Sequence, residues 1–182
     1  RGGCFYIVGE PVVPPLRGFV FGGGHVSKCS STVLTLAGFS TVSVDAREAF
    51  ANKDRFPEAE ETYAEEYEQV FPKLTVTSSS YVVIVTRGHQ HDALVLREWV
   101  HQPFAFLGMI GSRRKQRIIF AQFTQDNLAT EEQLCRVECP VGLDIGGVSV
   151  PEIAVSIAAR LVQRPPEILR DARRGAQQVR RG

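Results

Sequence analysis

The stretch Phe19-Val20-Phe21-Gly22-Gly23-Gly24-His25-Val26-Ser27 decides the fold of this 182-residue chain. Three apolar residues run into three glycines, and an apolar-periodic segment follows from His25 to Leu36. That order predicts a buried strand, a tight turn, and a helix whose first amides point back at the turn. Gly22 and Gly24 fit the G-x-G-x-x-G pattern of a dinucleotide-binding turn, with His25 and Val26 opening the helix. Ser27, however, stands where the third glycine belongs, and His25 takes a place usually held by a small or aliphatic residue. Two uses stay open: a nicotinamide site for hydride transfer, or a nucleotide fold turned to another ligand. A bare βα turn with no ligand at all is the bland alternative.

Working outward, the alternation of strand and helix signals continues. Gly38 is placed to stop the first helix. Thr41 to Val44 is β-branched and ends at Asp45. An irregular acidic stretch leads to an expected short helix, Tyr63 to Phe71, and an expected third strand, Leu74 to Val76. Tyr81 to Thr86 (YVVIVT) is a continuous apolar run of the kind found in buried parallel strands. A helix is expected over Asp92 to Val100, with Asp92 as its N-cap, then a strand over Phe104 to Ile110 and a helix over Ser112 to Phe123. Thr130 to Gln133 forms a candidate capping turn, Val141 to Gly147 a glycine-punctuated loop, and Pro151 to Val162 a final helix. These signals predict an α/β fold: a Rossmann-like parallel sheet with helices on both faces. Residues 1–18 read as a lead-in strand (Cys4 to Val8) and a proline-rich connector, 19–164 as the nucleotide- or cofactor-binding domain, and 165–182 as a basic tail.

Composition narrows the function classes. The chain is 43% hydrophobic and 23% charged with a net charge of +1, so no global field argues for nucleic acid or a membrane surface as partner. No apolar run approaches the length that spans a bilayer, and no signal peptide is visible, although the sequence starts at Arg1. Four cysteines, Cys4, Cys29, Cys135 and Cys139, are too sparse for a disulfide scaffold. Cys135 and Cys139 lie one helical turn apart if their segment is helical, a weak spacing for a metal or redox pair. Reduced thiols and a cytoplasmic location are the expectation.

In a doubly wound sheet, ligands sit at the carboxyl ends of the strands, so the loops that follow each strand name the candidate pocket. They are Gly22 to His25; Asp45 to Arg47; Arg87, Gly88, His89, Gln90, His91 and Asp92, with Thr86 just before them; and Gly111, Ser112, Arg113, Arg114 and Lys115. Asp45 falls 23 residues after Gly22, where a carboxylate accepts hydrogen bonds from a ribose diol, while Arg47 keeps a 2′-phosphate open. Three cations in a first helical turn oppose the helix dipole and suit a bound phosphate, or else form a solvated basic turn. Gly88-His89-Gln90-His91-Asp92 is open to three readings: a metal site, a ligand contact by His89, or merely the start of a helix. No nucleophile constellation and no acid/base carboxylate pair is identifiable, which favours a binding protein over an enzyme.

Five segments in this order, FVFGGGHVS, VSVDAREAFANKDRFPEA, YVVIVTRGHQHD, FLGMIGSRRK and CPVGLDIGGVSVPEIAVSIAARLV, resemble the C-terminal Rossmann domain of the xanthine dehydrogenase accessory protein (XdhC/CoxI) family. The resemblance covers roughly Val12 to Val162, and IGSRRK combined with P-x-G-L-D-I-G is its most specific part. It implies an accessory protein that binds molybdenum cofactor, as molybdopterin or its dinucleotide form, and shields it during sulfuration by a cysteine desulfurase. The cofactor then passes to a molybdenum hydroxylase apoenzyme of the xanthine or aldehyde dehydrogenase kind. It further implies that Gly142, Asp144, Ile145 and Gly146 close the pocket, and that full-length members carry an additional N-terminal domain. A homodimer is the default assembly. The competing readings are an NAD(P)-dependent oxidoreductase and a nucleotide-sensing regulatory module.

Overall fold

A computed structural model describes residues 16–166, and the expected lead-in strand and most of the basic tail lie outside them. β1 (Leu16–Phe21) begins three residues before the expected Phe19, and Phe19, Val20 and Phe21 are all fully buried. Burial on both faces follows from position, because β1 pairs in parallel with β2 (Phe39–Val44) on one side and β4 (Ser80–Ile84) on the other. Phe21 is the last residue of both ladders, opposite Val44 and Ile84. Adding β3 (Glu61–Tyr63), β5 (Phe106–Met109) and β6 (Val137–Glu138) gives, among the described residues, six strands in the order β3-β2-β1-β4-β5-β6, every pair parallel.

Side chains alternate across this sheet and make two cores. Phe19, Phe21, Val42, Val44, Val82, Ile84, Leu107 and Met109 face α3 (His89–Trp99) and α4 (Arg113–Gln125), which contribute Val95, Leu96, Trp99, Ile119 and Phe123. Val20, Tyr81, Val83 and Phe106 face the other way, against Leu34 of α1 (His25–Leu36) and Ile157, Ala158 and Leu161 of α6 (Val150–Gln163). Helices therefore cover both faces, the expected Rossmann-like architecture. The crossovers leave β1 and β4 toward opposite faces, so a crevice opens between these two strands at their carboxyl ends.

Several local expectations need correction. The third strand is Glu61–Tyr63, not Leu74 to Val76; the latter segment is irregular, with Leu74 and Val76 packed against the core. The expected helix from Tyr63 shrinks to α2 (Tyr67–Val70), because Pro72 tightens the chain into a 3-10 turn over Phe71–Lys73. α3 starts at His89 with Gly88 at its N-cap, so Asp92 lies inside the first turn and does not cap it. Cys135 ends α5 (Glu131–Cys135), while Cys139 follows β6, so the two thiols do not share a helical turn. Thr130 does form a capping box with Gln133, and Ser149 forms another with Glu152 at the head of α6.

Candidate functional site

The glycine turn holds its shape because no side chain fits within it. Gly22 has φ +109°, and a Cβ there would lie 2.4 Å from the Val85 carbonyl oxygen at the end of β4. A Cβ on Gly23 would meet the Phe50 carbonyl oxygen at 2.0 Å, so the backbones of these two loops are in direct contact. Gly24 differs: nothing lies within 4 Å of its Cβ position. It is the N-cap of α1, whose first turn has neither a side-chain cap nor an acidic residue, leaving amide donors and a positive helix end beside open space. His25 is exposed and Val26 half-buried at the head of that helix.

Asp45 sits where a ribose-binding carboxylate belongs, but its oxygens are already taken. Oδ2 accepts from the Gly23 amide at 2.7 Å and from Arg47 Nη2 at 2.8 Å. Oδ1 accepts from the Arg47 amide at 3.0 Å and from Arg47 Nε at 2.8 Å. Burial by itself would raise the Asp45 pKa, yet the Arg47 and Gly23 donors hold it below the ordinary carboxylate value. A carboxylate with four donors satisfied has little capacity left for a diol. Asp45 therefore fixes the glycine turn and orients Arg47, and the Arg47 guanidinium is what the β2 end presents.

At the ends of β4 and β5 the side chains turn inward. Lys115, expected among the phosphate-binding cations, instead ion-pairs with Asp92 Oδ2 and donates to the Ile110 carbonyl at 3.0 Å. Asp92 is fully buried, and its Oδ1 accepts from Thr86 Oγ1 at 2.7 Å. The sequence marks Thr86 and Lys115 as ligand contacts; here both are committed to a latch tying β4, α3 and α4 together. Cys139 lies beside it: a Cβ on Gly111 would sit 2.6 Å from Lys115 Cδ and 3.5 Å from Cys139 Sγ. Burial pushes the Cys139 thiol up to about 11, so it stays protonated at neutral pH. Ser112 caps α4 by accepting from the Lys115 amide at 3.2 Å, and Arg113 and Arg114 extend into solvent. The basic turn thus offers two cations outward, and no acidic residue occupies the first turn of α4.

Gly88 and His89 are exposed at the β4 end, and His91 stands edge-on to Tyr67 with ring centroids 5.7 Å apart. Burial raises the Tyr67 hydroxyl above its ordinary value. No group of three or more His, Cys, Asp or Glu side chains comes together as a metal site among the described residues. The loop after β6 is anchored at its start, where a Cβ on Gly142 would lie 2.5 Å from Ser156 Oγ and that hydroxyl donates to the Leu143 carbonyl. Beyond it Asp144 accepts from the Gly146 amide at 3.4 Å, and Ile145 remains 50% exposed. These four residues form an outward loop at the β6 end of the ligand edge.

Two residues that the sequence reading passes over, Phe50 and Arg55, join Arg87 of the loop after β4 at the site. The Phe50 ring carries Arg47 Cζ at 3.7 Å from its centroid, Arg55 at 5.0 Å and Arg87 at 6.0 Å. Beside them, Asp45, Ala46, Arg47, Glu66, Tyr67, Arg87 and His91 line a cavity of about 340 Å³. A roomier groove of about 730 Å³ lies between α4 and α5, lined by residues such as Phe120 and Leu134; it is away from the glycine turn. Among the described residues, no helix is long and apolar enough to cross a membrane.

Comparison with known proteins places the chain in a family. A family profile described as "XdhC Rossmann domain" matches residues 19–161. The chain is 30% identical over 145 residues to the uncharacterized protein YqeB of Escherichia coli K12, covering 79% of this chain and 26% of that protein. It is 26% identical over 155 residues to a probable xanthine dehydrogenase subunit of Bacillus subtilis 168, covering 85% and 44%. A crystal structure from Bacillus halodurans, described as a xanthine dehydrogenase, superposes with TM-score 0.71 at 28% identity, covering 82% of this chain and 42% of that one. The chain therefore spans less than half the length of each of these relatives.

Proposed function

Because the chain belongs to the XdhC Rossmann-domain family, we propose that it serves the maturation of a xanthine dehydrogenase-type molybdenum hydroxylase by binding molybdenum cofactor as cargo. The observation that carries the reading is one edge with two anion-receptive ends: the uncapped α1 N-terminus at Gly24 and the α4 N-terminus, capped by Ser112 at the Lys115 amide, with Arg113 and Arg114 turned outward. A pterin phosphate, or the pyrophosphate of the dinucleotide form, matches these donors. In this reading Gly22, Gly24, His25, Gly88, His89, Gly111 and Ser112 lie against the cargo, and Asp45 and Arg47 shape the β2 side. The outward loop Gly142 to Gly146 covers it. The bound group brings the molybdenum chemistry, and this chain supplies affinity and release. The partners are then a cysteine desulfurase that delivers sulfur and the apoenzyme that receives the cofactor, with the protein acting as a homodimer in the cytoplasm.

The test is retention. Purified protein is mixed with free molybdenum cofactor, passed through a sizing column and assayed for oxidised-pterin fluorescence, with NAD⁺ in parallel. Co-eluting pterin that is lost in the Arg113→Ala, Arg114→Ala double variant is expected. NAD⁺ retained without pterin would favour the second reading, an NAD(P)-dependent oxidoreductase or nucleotide sensor, which the glycine turn supports.

A further inference from the structure

Three guanidinium groups crowd the Phe50 ring, and only one of them has a carboxylate. Arg47 is paired with Asp45, whereas neither Arg55 nor Arg87 ion-pairs with a carboxylate among the described residues. Arg55 uses Nε to hold the Gly23 carbonyl at 2.7 Å, which carries its head group up to the glycine turn. Its Nη2 is buried there with no hydrogen-bond partner. A buried charged donor left unmatched is costly, and like charges around one ring repel, so an acceptor beyond those the described residues supply would stabilise this arrangement. Cation–π contact with Phe50 offsets part of the repulsion and satisfies no N–H.

We propose that Arg47, Arg55 and Arg87 form a receptor for a phosphomonoester dianion of the ligand, at the place where Asp45 would otherwise meet a free ribose diol. The inference rests on reading the strand-end edge as a phosphate-binding site, and it names the chemistry selected at the β2 end. Guanidinium forks match phosphate oxygens with paired N–H donors, and the Asp45 carboxylate, already saturated, does not repel the incoming anion as a free one would. Two sources carry that chemistry: a 2′-phosphorylated ribose, whose other phosphates stay at the α1 and α4 ends, and the single terminal phosphate of molybdopterin, which would then sit here instead of at those ends.

Titration calorimetry with adenosine 5′-monophosphate and adenosine 2′,5′-bisphosphate tests the first source, because the two ligands differ by the one phosphate. The molybdopterin mononucleotide form tests the second. Wild type is expected to prefer the bisphosphate, or to hold the pterin, by about tenfold or more over Arg87→Gln and Arg55→Gln. The preference should weaken as ionic strength rises. Arg87 is exposed and makes no hydrogen bond among the described residues, so its variant keeps the test decisive if Arg55→Gln disturbs the glycine turn. Whichever arm loses affinity in the variants names the source. Equal affinities in wild type and both variants for every ligand, or no binding of any, would overturn the receptor. Pterin retained without any dependence on Arg55 or Arg87, together with a bisphosphate affinity equally independent of them, removes this proposal and leaves the maturation reading standing. A lost bisphosphate preference with no pterin retained does the reverse.

Discussion

The two halves of the ligand edge are built from the same residue types and do opposite things with them. On the β1/β2 side, Asp45 pairs with an arginine whose side chain is 34% exposed, and two more guanidiniums gather beside it. On the β4/β5 side, Asp92 at 0% exposure pairs with Lys115 at 15%, and Thr86 completes the acid's hydrogen bonds. An acid–cation pair within a turn or two of a strand end is therefore not by itself a ligand site. Burial decides: the half-open pair leaves a cation to present, and the closed pair spends both charges on holding helices in place.

If the β4/β5 pair is a latch, Lys115→Met should be the most damaging change, since it strands the Asp92 charge in a dry site. The expected loss is about 3–5 kcal/mol in denaturant unfolding. Asp92→Leu combined with Lys115→Met should recover most of it, and a double variant as unstable as the single one would break the latch interpretation. On the open side the sharpest contrast is between adjacent glycines. Gly23→Ala must force a methyl into the Phe50 carbonyl and should cost about 1–3 kcal/mol or more. Gly24→Ala meets open space and should stay within about 0.5 kcal/mol of wild type. Equal losses at the two positions in thermal unfolding would mean that the turn is not pinned by Phe50.

A pH titration separates the halves more finely. Asp45 is held below the usual carboxylate value of about 3.9, so the unfolded chain takes up its proton first as pH falls. Its contribution is present above about pH 4 and is lost as pH drops through the folded value. Asp45→Asn should therefore cost about 1–2 kcal/mol at neutral pH, with the difference from wild type shrinking below about pH 4. A difference constant with pH would rule out the charged pair as its source. A modest loss is expected of Ser112→Ala, which removes the α4 cap and should lower stability by about 1 kcal/mol. An unchanged midpoint there would show that the exposed basic turn tolerates a frayed start.

Legibility in the sequence tracked burial and locality. YVVIVT announces a central strand because a sheet covered on both faces needs apolar residues at every position, and the turn after FVF is written in glycines. Glu61–Tyr63 is hidden because an edge strand of three polar or half-buried residues lacks any alternation to detect. The four ligand-edge loops could be named from strand ends alone. What could not be read is which way a side chain points: Lys115 follows two solvent-facing arginines in an unbroken basic run, and only the fold turns it toward Asp92. Arg55 gives no local signal, lying in an irregular segment 32 residues from the glycine whose carbonyl it holds.

The sheet ends quickly on both sides, with three residues in β3 and two in β6. A flanking strand so brief exposes too few free amides to template another strand, and the charge of Glu138, held by Arg160 at 2.7 Å, marks the β6 border further. A domain carried within longer relatives has neighbours at high effective concentration. Among the described residues, borders this short offer copies of the chain little backbone through which to zip together.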